Sequence, residues 1–391
     1  MHPTILPPPI TQTATRAPRA LSSVADVALH YGFIPTETLR ISKEDRDKAR
    51  ALMQEPHAPL SLAYTEEKIA LIKLYDEEKM ERLHQPAMFY REERNSARSM
   101  LTVHLDVLGS VHSIAEAMLI KTVVETLREA GSARIAVRIN SVGDRDSLGR
   151  FIRELGSFYR KKIAEMHAPC RQAIKENIFA ALLCEHELCI AFRCDAPRAI
   201  GFLSEPARAH FKEVLEYLER LEIPYELHEH LLGPSGVCSQ TVFDMRDENG
   251  TLLASGFRYN HLARRVGARR EIPALGATLF LSGHADSARS KRFTPSAPKV
   301  YFIQLGPEAK RRSLHIIEML RRAEIPLVQS IAHDKLSTQI AHAESLHTPF
   351  FVIMGQKEAS EGTALVRDRE RSFQETLPIP KLSSFLKRLI A

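Results

Sequence analysis

The sequence lacks three features that mark membrane or secreted proteins. It has no apolar run long enough to span a membrane, and its N-terminus has no signal-peptide pattern. Its 5 cysteines are too few, in a chain of 391 residues, for a framework of disulfides. We therefore expect a cytoplasmic protein, outside the membrane, in a compartment that keeps thiols reduced.

The composition is that of a globular protein with more than one domain. Hydrophobic residues make up 44% and charged residues 26%, and 391 residues suffice for two or three domains. The net charge of +6 fits a polyanionic partner such as RNA, and it equally fits a well-solvated surface. Residues 1–20 are rich in proline, and we expect a disordered tail there.

The clearest local pattern is a hairpin in the second half of the chain. Gln240–Met245 and Thr251–Tyr259 flank Asn249-Gly250, the dipeptide preferred in a type I′ turn. A later apolar run, Ile272–Leu281, contains small residues such as Gly276, which let a ligand or another backbone approach closely. The pattern predicts an antiparallel sheet, and an ordinary sheet without a ligand is the simpler interpretation.

An alternating strand precedes this region. Apolar side chains at 101, 103, 105 and 107 alternate with the polar Thr102, His104 and Asp106. We expect the apolar side chains to face a core and the polar ones to face a cleft. Asn140–Gly143 is predicted to be a turn. Helical periodicity is found at 44–53, 66–83, 114–130, 148–166 and from 204 onward. Ser204 is predicted to cap the last of these helices, with Pro206 in its first turn.

The order of three short motifs resembles a known enzyme family. They are Thr-Val-Phe-Asp at 241–244, Gly-Phe-Arg-Tyr at 256–259 and Ile-Pro-Ala-Leu-Gly at 272–276. This order is similar to the second half of the catalytic domain of the histidyl-tRNA synthetases, which are class II aminoacyl-tRNA synthetases. The resemblance implies an α+β domain over 21–290, with an antiparallel sheet flanked by helices and a helical connection at about 110–230.

Two further segments resemble the conserved class II motifs. The sequence Tyr-Arg-Glu-Glu-Arg at 90–94 resembles the core of motif 2, in which the first arginine contacts the α-phosphate of ATP. The resemblance thus implies Arg91 and Glu93 as cofactor-binding residues, with ATP and Mg²⁺ as possible cofactors. A solvated run of charges is the alternative. Tyr-Gly-Phe at 31–33 resembles motif 1, which implies a homodimer.

The resemblance also places polar residues in a substrate cleft. Asp106 keeps the charge of a family glutamate on a shorter side chain, and Arg258-Tyr259 matches a retained pair of the family. The cleft residues implied in this way are Thr65, Thr102, Asp106, Gln240, Arg258 and Tyr259.

The charged residues of motif 3 are replaced. Its glutamate and arginine fall on Ser282 and Gly283. Arg289 and Arg292 come several residues later, so neither is a direct replacement. A preorganised charge commonly contributes about 3 kcal/mol of transition-state stabilisation, so these losses predict a weak or silent site.

Two loops have lost polar residues as well. The histidine-recognising loop of the family falls on Leu231–Cys238, where Gly233 takes the place of its catalytic arginine. In a loop nearer the N-terminus, Ser61 and Ala63 replace an arginine and a glutamate. Apolar replacements leave a buried imidazole without hydrogen-bond partners. We therefore predict that aminoacylation is lost or much reduced.

The last hundred residues form a second predicted domain. Strand patterns at 300–305, 327–331 and 350–354 alternate with helices at 308–323 and 335–343, which predicts a βαβ arrangement. Residues 296–391 resemble the α/β anticodon-binding domain of the same family. The resemblance implies tRNA or a related RNA as the partner and Lys335, Gln339 and Arg367 as RNA-binding residues. From Lys299 onward there are 14 basic and 10 acidic side chains, which also fits a solvated surface.

Four cysteines lie within the helical connection: Cys170, Cys184, Cys189 and Cys194. Their thiolates offer ligands for zinc, although the four-residue gaps between the last three are at the long end for a structural site. Small buried residues are the other interpretation. The sequence leaves the two open.

Three functions are compatible with this pattern. The first is a histidyl-tRNA synthetase-like protein that binds tRNA or a related RNA, with aminoacylation lost or much reduced. The second is an active, diverged histidine–tRNA ligase that uses ATP. The third is a regulatory subunit similar to that of ATP phosphoribosyltransferase. That relative generally lacks a full anticodon-binding domain, which counts against the third function.

Overall fold

A computed structural model describes most of the chain. The described residues are 20–36, 39–52, 62–82, 86–95, 97, 99–184, 186–234, 236–283, 291–292, 298–331, 333–371 and 373–390. Residues 1–19 of the predicted tail lie outside them, as do Ser61 and Arg289.

The strands are short to medium in length. They are β1 (Ala20–Leu21), β2 (Ile34–Pro35), β3 (Ala87–Asn95), β4 (Met100–Leu108), β5 (Ala136–Gly143), β6 (Tyr225–Leu227), β7 (Ser239–Arg246), β8 (Leu252–Arg258), β9 (Ala274–Ser282), β10 (Lys291–Arg292), β11 (Val300–Gln304), β12 (Leu327–Gln329), β13 (Phe350–Met354), β14 (Thr363–Asp368) and β15 (Gln374–Pro378).

The helices lie between and around these strands. They are α1 (Ala25–His30), α2 (Lys43–Leu52), α3 (Leu62–Glu77), α4 (Ile114–Glu129), α5 (Arg145–Lys162), α6 (Ala168–Glu176), α7 (Ala180–Leu183), α8 (Glu187–Asp195), α9 (Glu205–Arg220), α10 (Leu262–Arg265), α11 (Pro307–Arg322), α12 (Leu336–Ser345), α13 (Gln356–Glu361) and α14 (Ile379–Ile390).

Eight strands form one sheet, in the order β2-β3-β4-β9-β8-β7-β5-β6. Its inner pairs are antiparallel, and only the edge pairs β2–β3 and β5–β6 are parallel. Helices cover both faces of the sheet. The predicted α+β fold, an antiparallel sheet flanked by helices, is confirmed.

The alternation predicted for β4 separates two faces of this sheet. Leu101 and Val103 lie in a large apolar core with α4, α9 and α1. On the opposite face, Phe89 and Phe257 pack with Ile69 of α3 in a second core. Because adjacent strand residues point to opposite sides, the polar residues of β4 lie on this second face, under α3.

The C-terminal sheet has the order β12-β11-β13-β14-β15. Strand β11 is parallel to β12 and β13, and helices α11 and α12 connect them, so the predicted βαβ arrangement is confirmed. Strands β14 and β15 continue the sheet in antiparallel fashion.

The two sheets are joined through α11. This helix packs against α4 and α9, two helices that lie on the eight-stranded sheet. The Tyr31 hydroxyl after α1 donates to Glu318 of α11 at 2.9 Å, and Arg220 of α9 lies 3.0 Å from Glu308. The resulting apolar core runs from one sheet to the other.

Two predicted turns differ from the structure. At the hairpin Gly250 has a φ of 80° and Asn249 does not have a positive φ, so the turn is not type I′. Instead the Gly250 amide donates to the Asp247 carbonyl at 3.1 Å, as in a type I turn followed by a glycine bulge. The predicted turn at Asn140–Gly143 is wrong as well, because β5 continues through it with a bulge near Gly143.

The helix predicted at 66–83 begins earlier, at Leu62, and ends at Glu77. The cap predicted for α9 is confirmed, since the Ser204 hydroxyl accepts from the Ala207 amide at 3.3 Å. Within the described residues, every helix is too short or too polar to cross a lipid bilayer.

Candidate functional site

The polar residues of β4 meet α3 in a buried network. Lys68 of α3 forms an ion pair with Asp106, and both side chains are almost fully buried, at 3% and 1% exposed. The Tyr259 hydroxyl donates to the same carboxylate at 2.8 Å. The Lys68 ammonium also lies 5.6 Å from the centre of the Tyr259 ring. Two cleft positions predicted from the family pattern, Asp106 and Tyr259, are thus brought together.

A glycine on β9 makes room for this pair. Gly276 is the register partner of Asp106. A Cβ added at Gly276 would overlap the Asp106 carboxylate and would lie 2.6 Å from the Lys68 nitrogen. The close approach predicted at Gly276 is therefore made by an internal ion pair. A larger residue at position 276 would displace that pair.

Arg91 of β3 is engaged on the same face. Its Nη2 donates to Glu67 of α3 at 2.7 Å and lies 4.0 Å from Asp106. Glu67 Oε2 also lies 3.5 Å from His104 Nδ1. Thr278 Oγ1 is 3.2 Å from that same ring nitrogen. The guanidinium predicted to hold a phosphate is bound by a neighbouring carboxylate.

The electrostatics of the network follow from its burial. Burial lowers the pKa of His104 to about 3, so its ring is neutral at pH 7. Burial raises the pKa of Glu67 although His104 and Arg91 oppose that shift. Burial alone would raise the pKa of Asp106, but the charges of Lys68 and Arg91 and two hydrogen bonds outweigh it and lower that pKa.

Charge within the network is balanced. Two cations, Lys68 and Arg91, face two acids, Glu67 and Asp106, in a region where His104 is neutral. A nucleoside triphosphate and its metal need fixed positive charge in excess. The described residues at this position therefore do not fit ATP. Two buried atoms, Nη1 of Arg91 and Oδ2 of Asp106, have no hydrogen-bond partner among the described residues.

Three more predicted residues lie beside the network. Thr65 is buried on α3, one helical turn before Lys68, and Thr102 is buried on β4. Glu93 is 44% exposed at the side chain, with Oε2 3.9 Å from His104 Nε2. Oxygen and nitrogen atoms of Glu67, Glu93 and His104 lie within 4.8 Å of one another, which is close enough for shared metal ligands. The Arg91 guanidinium on Glu67 opposes a cation there.

Arg258 was predicted to line the cleft, and that prediction is wrong. Its Nε donates to Glu116 of α4 at 2.7 Å, its Nη2 donates to the other oxygen of the same carboxylate, and its Nη1 donates to the Ser110 carbonyl at 2.8 Å. Tyr259 points to the face of the sheet that α3 covers, so its neighbour Arg258 points to the opposite face, which α4 covers. Burial raises the pKa of Glu116, yet Arg258 and His210 together lower it to about 2.

Gln240 lies at a break in β7. Its φ is 54°, in the left-handed region, and the register of β7 with β8 shifts between Ser239 and Val242. Its Oε1 is buried and has no hydrogen-bond partner among the described residues. The structure does not join Gln240 to the Asp106 network by any hydrogen bond between described residues.

The segment predicted to recognise histidine is packed with apolar side chains. Leu231 and Val237 lie in the same core as Phe257 and Tyr259. Gly236 has a φ of 70°, and its carbonyl accepts from Arg265. The described side chains of this segment that pack on the second face of the sheet are apolar, and they offer no hydrogen-bond acceptor to an imidazole.

The C-terminal residues predicted to bind RNA differ in exposure. Lys335, just before α12, and Arg367, on β14, are exposed. Gln339 is fully buried, accepts from the Gln304 amide at 3.1 Å and donates to its carbonyl at 2.8 Å. Direct RNA contact is therefore not available to Gln339, and that prediction is wrong. Its amide instead fixes α12 against β11.

The sequence patterns missed Glu67, Lys68 and Glu116. All three lie on helices, and the residues to which their side chains bond are 24 to 142 positions away in the chain. A signal existed only for Glu116, as an acid on an otherwise apolar face of α4. A surface groove of about 510 Å³ lies elsewhere, between the segment around Ser113 and the face of α9 around Lys212, away from the Asp106 network.

Comparisons with known proteins add to this geometry. Residues 299–389 match the family model described as "Anticodon binding domain". Over 358 residues the chain is 24% identical to a histidine–tRNA ligase of Dehalococcoides mccartyi, covering 89% of this chain and 84% of that protein. Over 356 residues it is 26% identical to a histidine–tRNA ligase of Geobacillus kaustophilus, covering 88% and 82%.

Solved structures show the shared fold. The apo histidyl-tRNA synthetase of S. aureus superposes with a TM-score of 0.51 at 19% identity, covering 93% of each chain. At this identity the likeness concerns the fold, and chemistry has to be argued from the residues.

Proposed function

Because the chain is a histidyl-tRNA synthetase-like member of the class II aminoacyl-tRNA synthetase family, we propose that it binds tRNA or a related RNA and has lost most or all aminoacylation. The relatives it matches are named ligases, and the matched C-terminal model is an anticodon-binding domain. In this function the C-terminal domain binds the RNA, and the Asp106 network is a structural replacement of the reaction site.

The engagement of Arg91 is the observation that carries the loss of activity. A class II enzyme needs a free guanidinium fork at this position, aimed at the α-phosphate. Here one nitrogen of Arg91 is bound to Glu67 at 2.7 Å, and the pair is almost fully buried. Opening the site for ATP would expose or unpair a buried acid and a buried base, which commonly costs about 3–5 kcal/mol.

Histidine-dependent exchange of pyrophosphate into ATP tests this loss with the purified full chain. We expect a rate no higher than the rate without histidine, in the presence of Mg²⁺. Clear histidine-dependent exchange that Arg91→Ala abolishes would overturn the proposal. It would support the second function, an active ligase in which ATP and Mg²⁺ are cofactors. Thermal denaturation with ATP gives a second readout, because a bound ligand raises the melting temperature.

RNA binding is tested separately, by titration of the full chain with tRNA at several salt concentrations. Exposed cations that bind phosphate set the salt dependence of affinity. We expect Lys335→Ala and Arg367→Ala each to weaken binding and to reduce the slope of log affinity against log salt by about 1 for each phosphate that is no longer bound. Lys212→Ala is the matched control, since Lys212 is a 77% exposed lysine on α9, outside the C-terminal domain.

An unchanged affinity in both C-terminal variants, or an equal loss in the control, would contradict RNA binding by this surface. The two experiments are independent, so RNA binding can fail while the loss of catalysis stands.

We further propose that the chain forms a homodimer and acts in the cytoplasm. Support for the dimer comes from the motif 1 resemblance at 31–33, and support for the compartment comes from 5 free cysteines. Light scattering of the purified chain tests the dimer, and a mass of about 44.1 kDa in solution would exclude it.

A further inference from the structure

The helical connection contains a small lobe built from three short helices. Helices α6, α7 and α8 follow α5 and have 9, 4 and 9 residues. Their side chains share one small core with Phe151 and Leu155 of α5. Short helices are marginal on their own, and small units often need a disulfide or a metal to hold them.

Three thiols meet in the middle of this lobe. Cys170 of α6, Cys184 after α7 and Cys189 of α8 have sulfur atoms that all lie within 4.8 Å of one another. The sulfurs of Cys170 and Cys184 are 2.9 Å apart. Cys189 is fully buried and Cys170 nearly so. One thiol from each short helix or its end is therefore directed to a single point.

A histidine completes the group. His167, just before α6, has its Nδ1 3.8 Å from the Cys170 sulfur. The His167 ring stacks on His186 with centroids 3.9 Å apart. His186 is the poorer ligand, because its Nδ1 accepts from the Leu188 amide at 3.3 Å. His167 therefore faces the Cys170 thiol, and its ring lies outside the set of atoms that are all within 4.8 Å of one another.

The spacing of these atoms fits a tetrahedral metal. With zinc–sulfur bonds of about 2.3 Å and zinc–nitrogen bonds of about 2.0–2.1 Å, sulfur atoms in a tetrahedron lie about 3.8 Å apart and sulfur and nitrogen about 3.6 Å apart. The sulfur–nitrogen distance to Cys170 is 3.8 Å, the Cys170 and Cys184 sulfurs are 2.9 Å apart, and all three sulfurs lie within 4.8 Å of one another. To complete a tetrahedron, the His167 ring would turn toward the sulfurs of Cys184 and Cys189.

The sequence spacing agrees with this arrangement. Two residues separate His167 from Cys170, and four separate Cys184 from Cys189. Short gaps of two to four residues within each pair, with a longer segment between the pairs, are typical of structural zinc sites. Of the four cysteines considered in the sequence, Cys194 lies outside this group, since it is exposed and its thiol donates to the Ile190 carbonyl.

We propose that Cys170, Cys184, Cys189 and His167 bind one zinc ion that holds this lobe together. The four ligands close the coordination sphere, as in a structural site, and leave no position for substrate. Three thiols lose their protons to solvent when the ion binds, and the ion and three thiolates then carry a net charge of −1. The Arg193 guanidinium donates to the Cys184 carbonyl at 3.1 Å and places a positive charge beside them.

Metal analysis of the purified full chain tests the site. The protein is prepared without chelators and its zinc is measured by mass spectrometry. We expect about one zinc per chain, as for a closed site of four ligands. Cys184→Ser and His167→Ala should each lower the zinc content severalfold, while the matched control Cys194→Ser should keep it. Replacement by Co²⁺ should give the intense visible bands of tetrahedral thiolate coordination in the wild type and in the control.

A second measurement guards against variants that fail to fold. Reduced, metal-free wild-type protein is titrated with Zn²⁺, and hydrogen exchange of residues 164–203 is followed. Zinc should slow exchange in that segment. No uptake of zinc by the reduced wild type would overturn the proposal. So would a Cys170–Cys184 disulfide, detected by alkylation and mass spectrometry, in protein that takes up no zinc after reduction.

Discussion

The Lys68–Asp106 pair offers the sharpest test of the structural role of the buried network. Both side chains are almost fully buried, at 3% and 1% exposed. Lys68→Met or Asp106→Asn leaves one buried charge without its partner, and each should lower the free energy of unfolding by about 3–5 kcal/mol. The double variant removes both charges. We expect the double variant to be no less stable than either single variant. If the two effects were independent, its free energy of unfolding would instead lie about 6–10 kcal/mol below that of the wild type, roughly the sum of the two losses.

Equilibrium urea denaturation followed by circular dichroism measures these differences, because the sequence has no tryptophan to report by fluorescence. Hydrogen exchange in β4 and β9 identifies which sheet loses stability. The matched control is the exposed pair Arg134 and Glu248, 3.0 Å apart with side chains 81% and 59% exposed. Its coupling in the same cycle should stay below about 1 kcal/mol.

Additive losses in the Lys68–Asp106 cycle, or single losses as small as those of the control, would refute the reasoning. The pair would then be open to solvent, and Asp106 and its neighbours would be available to a ligand. The balanced charges of the network would then no longer oppose the binding of a triphosphate.

Three further predictions concern Gly276 beside this pair, Glu116 on α4 and Gln339 on α12. Gly276→Ala should lower the free energy of unfolding by about 1–3 kcal/mol through overpacking, while Gly149→Ala, with open space around its Cβ, should be neutral or slightly stabilising in thermal denaturation. The pKa of Glu116 is about 2 in the folded protein, against an ordinary value of 4.5. Its contribution to the free energy of unfolding is therefore present above pH 4.5 and is lost as the pH falls toward 2. The melting temperature of Glu116→Gln should therefore lie below that of the wild type at pH 7, with a gap that narrows toward pH 3 in calorimetry. Gln339→Ala should cost about 1–3 kcal/mol because it leaves buried backbone groups unpaired, while exposed Lys335→Ala should stay within about 0.5 kcal/mol by urea denaturation.

Local periodicity predicted much of the fold correctly. The alternation of β4 placed Leu101 and Val103 on a core, and the serine–proline start of α9 fixed its first turn. The βαβ order of the C-terminal domain followed from strand and helix spacing. These features depend on residues close together in the chain, where physical preferences are strongest.

The site was harder to predict because its partners are distant in sequence. No local pattern links Lys68 to Asp106 or Arg258 to Glu116, which are 38 and 142 positions apart. The family pattern assigned Arg258 and Tyr259 to one cleft, although adjacent strand residues face opposite sides. At the hairpin, Asp247 Oδ1 accepts from the Asn249 and Thr251 amides, and this side-chain bonding favours the type I turn with a bulge over the predicted type I′.

The contact between Tyr31 and Glu318 bears on how the two domains move. The Glu318 carboxylate is 8% exposed and also accepts from Arg321 and Arg322 at 2.8 and 2.7 Å. Swinging the C-terminal domain away from α1 would leave the Tyr31 hydroxyl without this acceptor and would uncover apolar surface shared by both sheets. If the C-terminal domain binds RNA as proposed, this contact would set the position of that RNA relative to the first sheet.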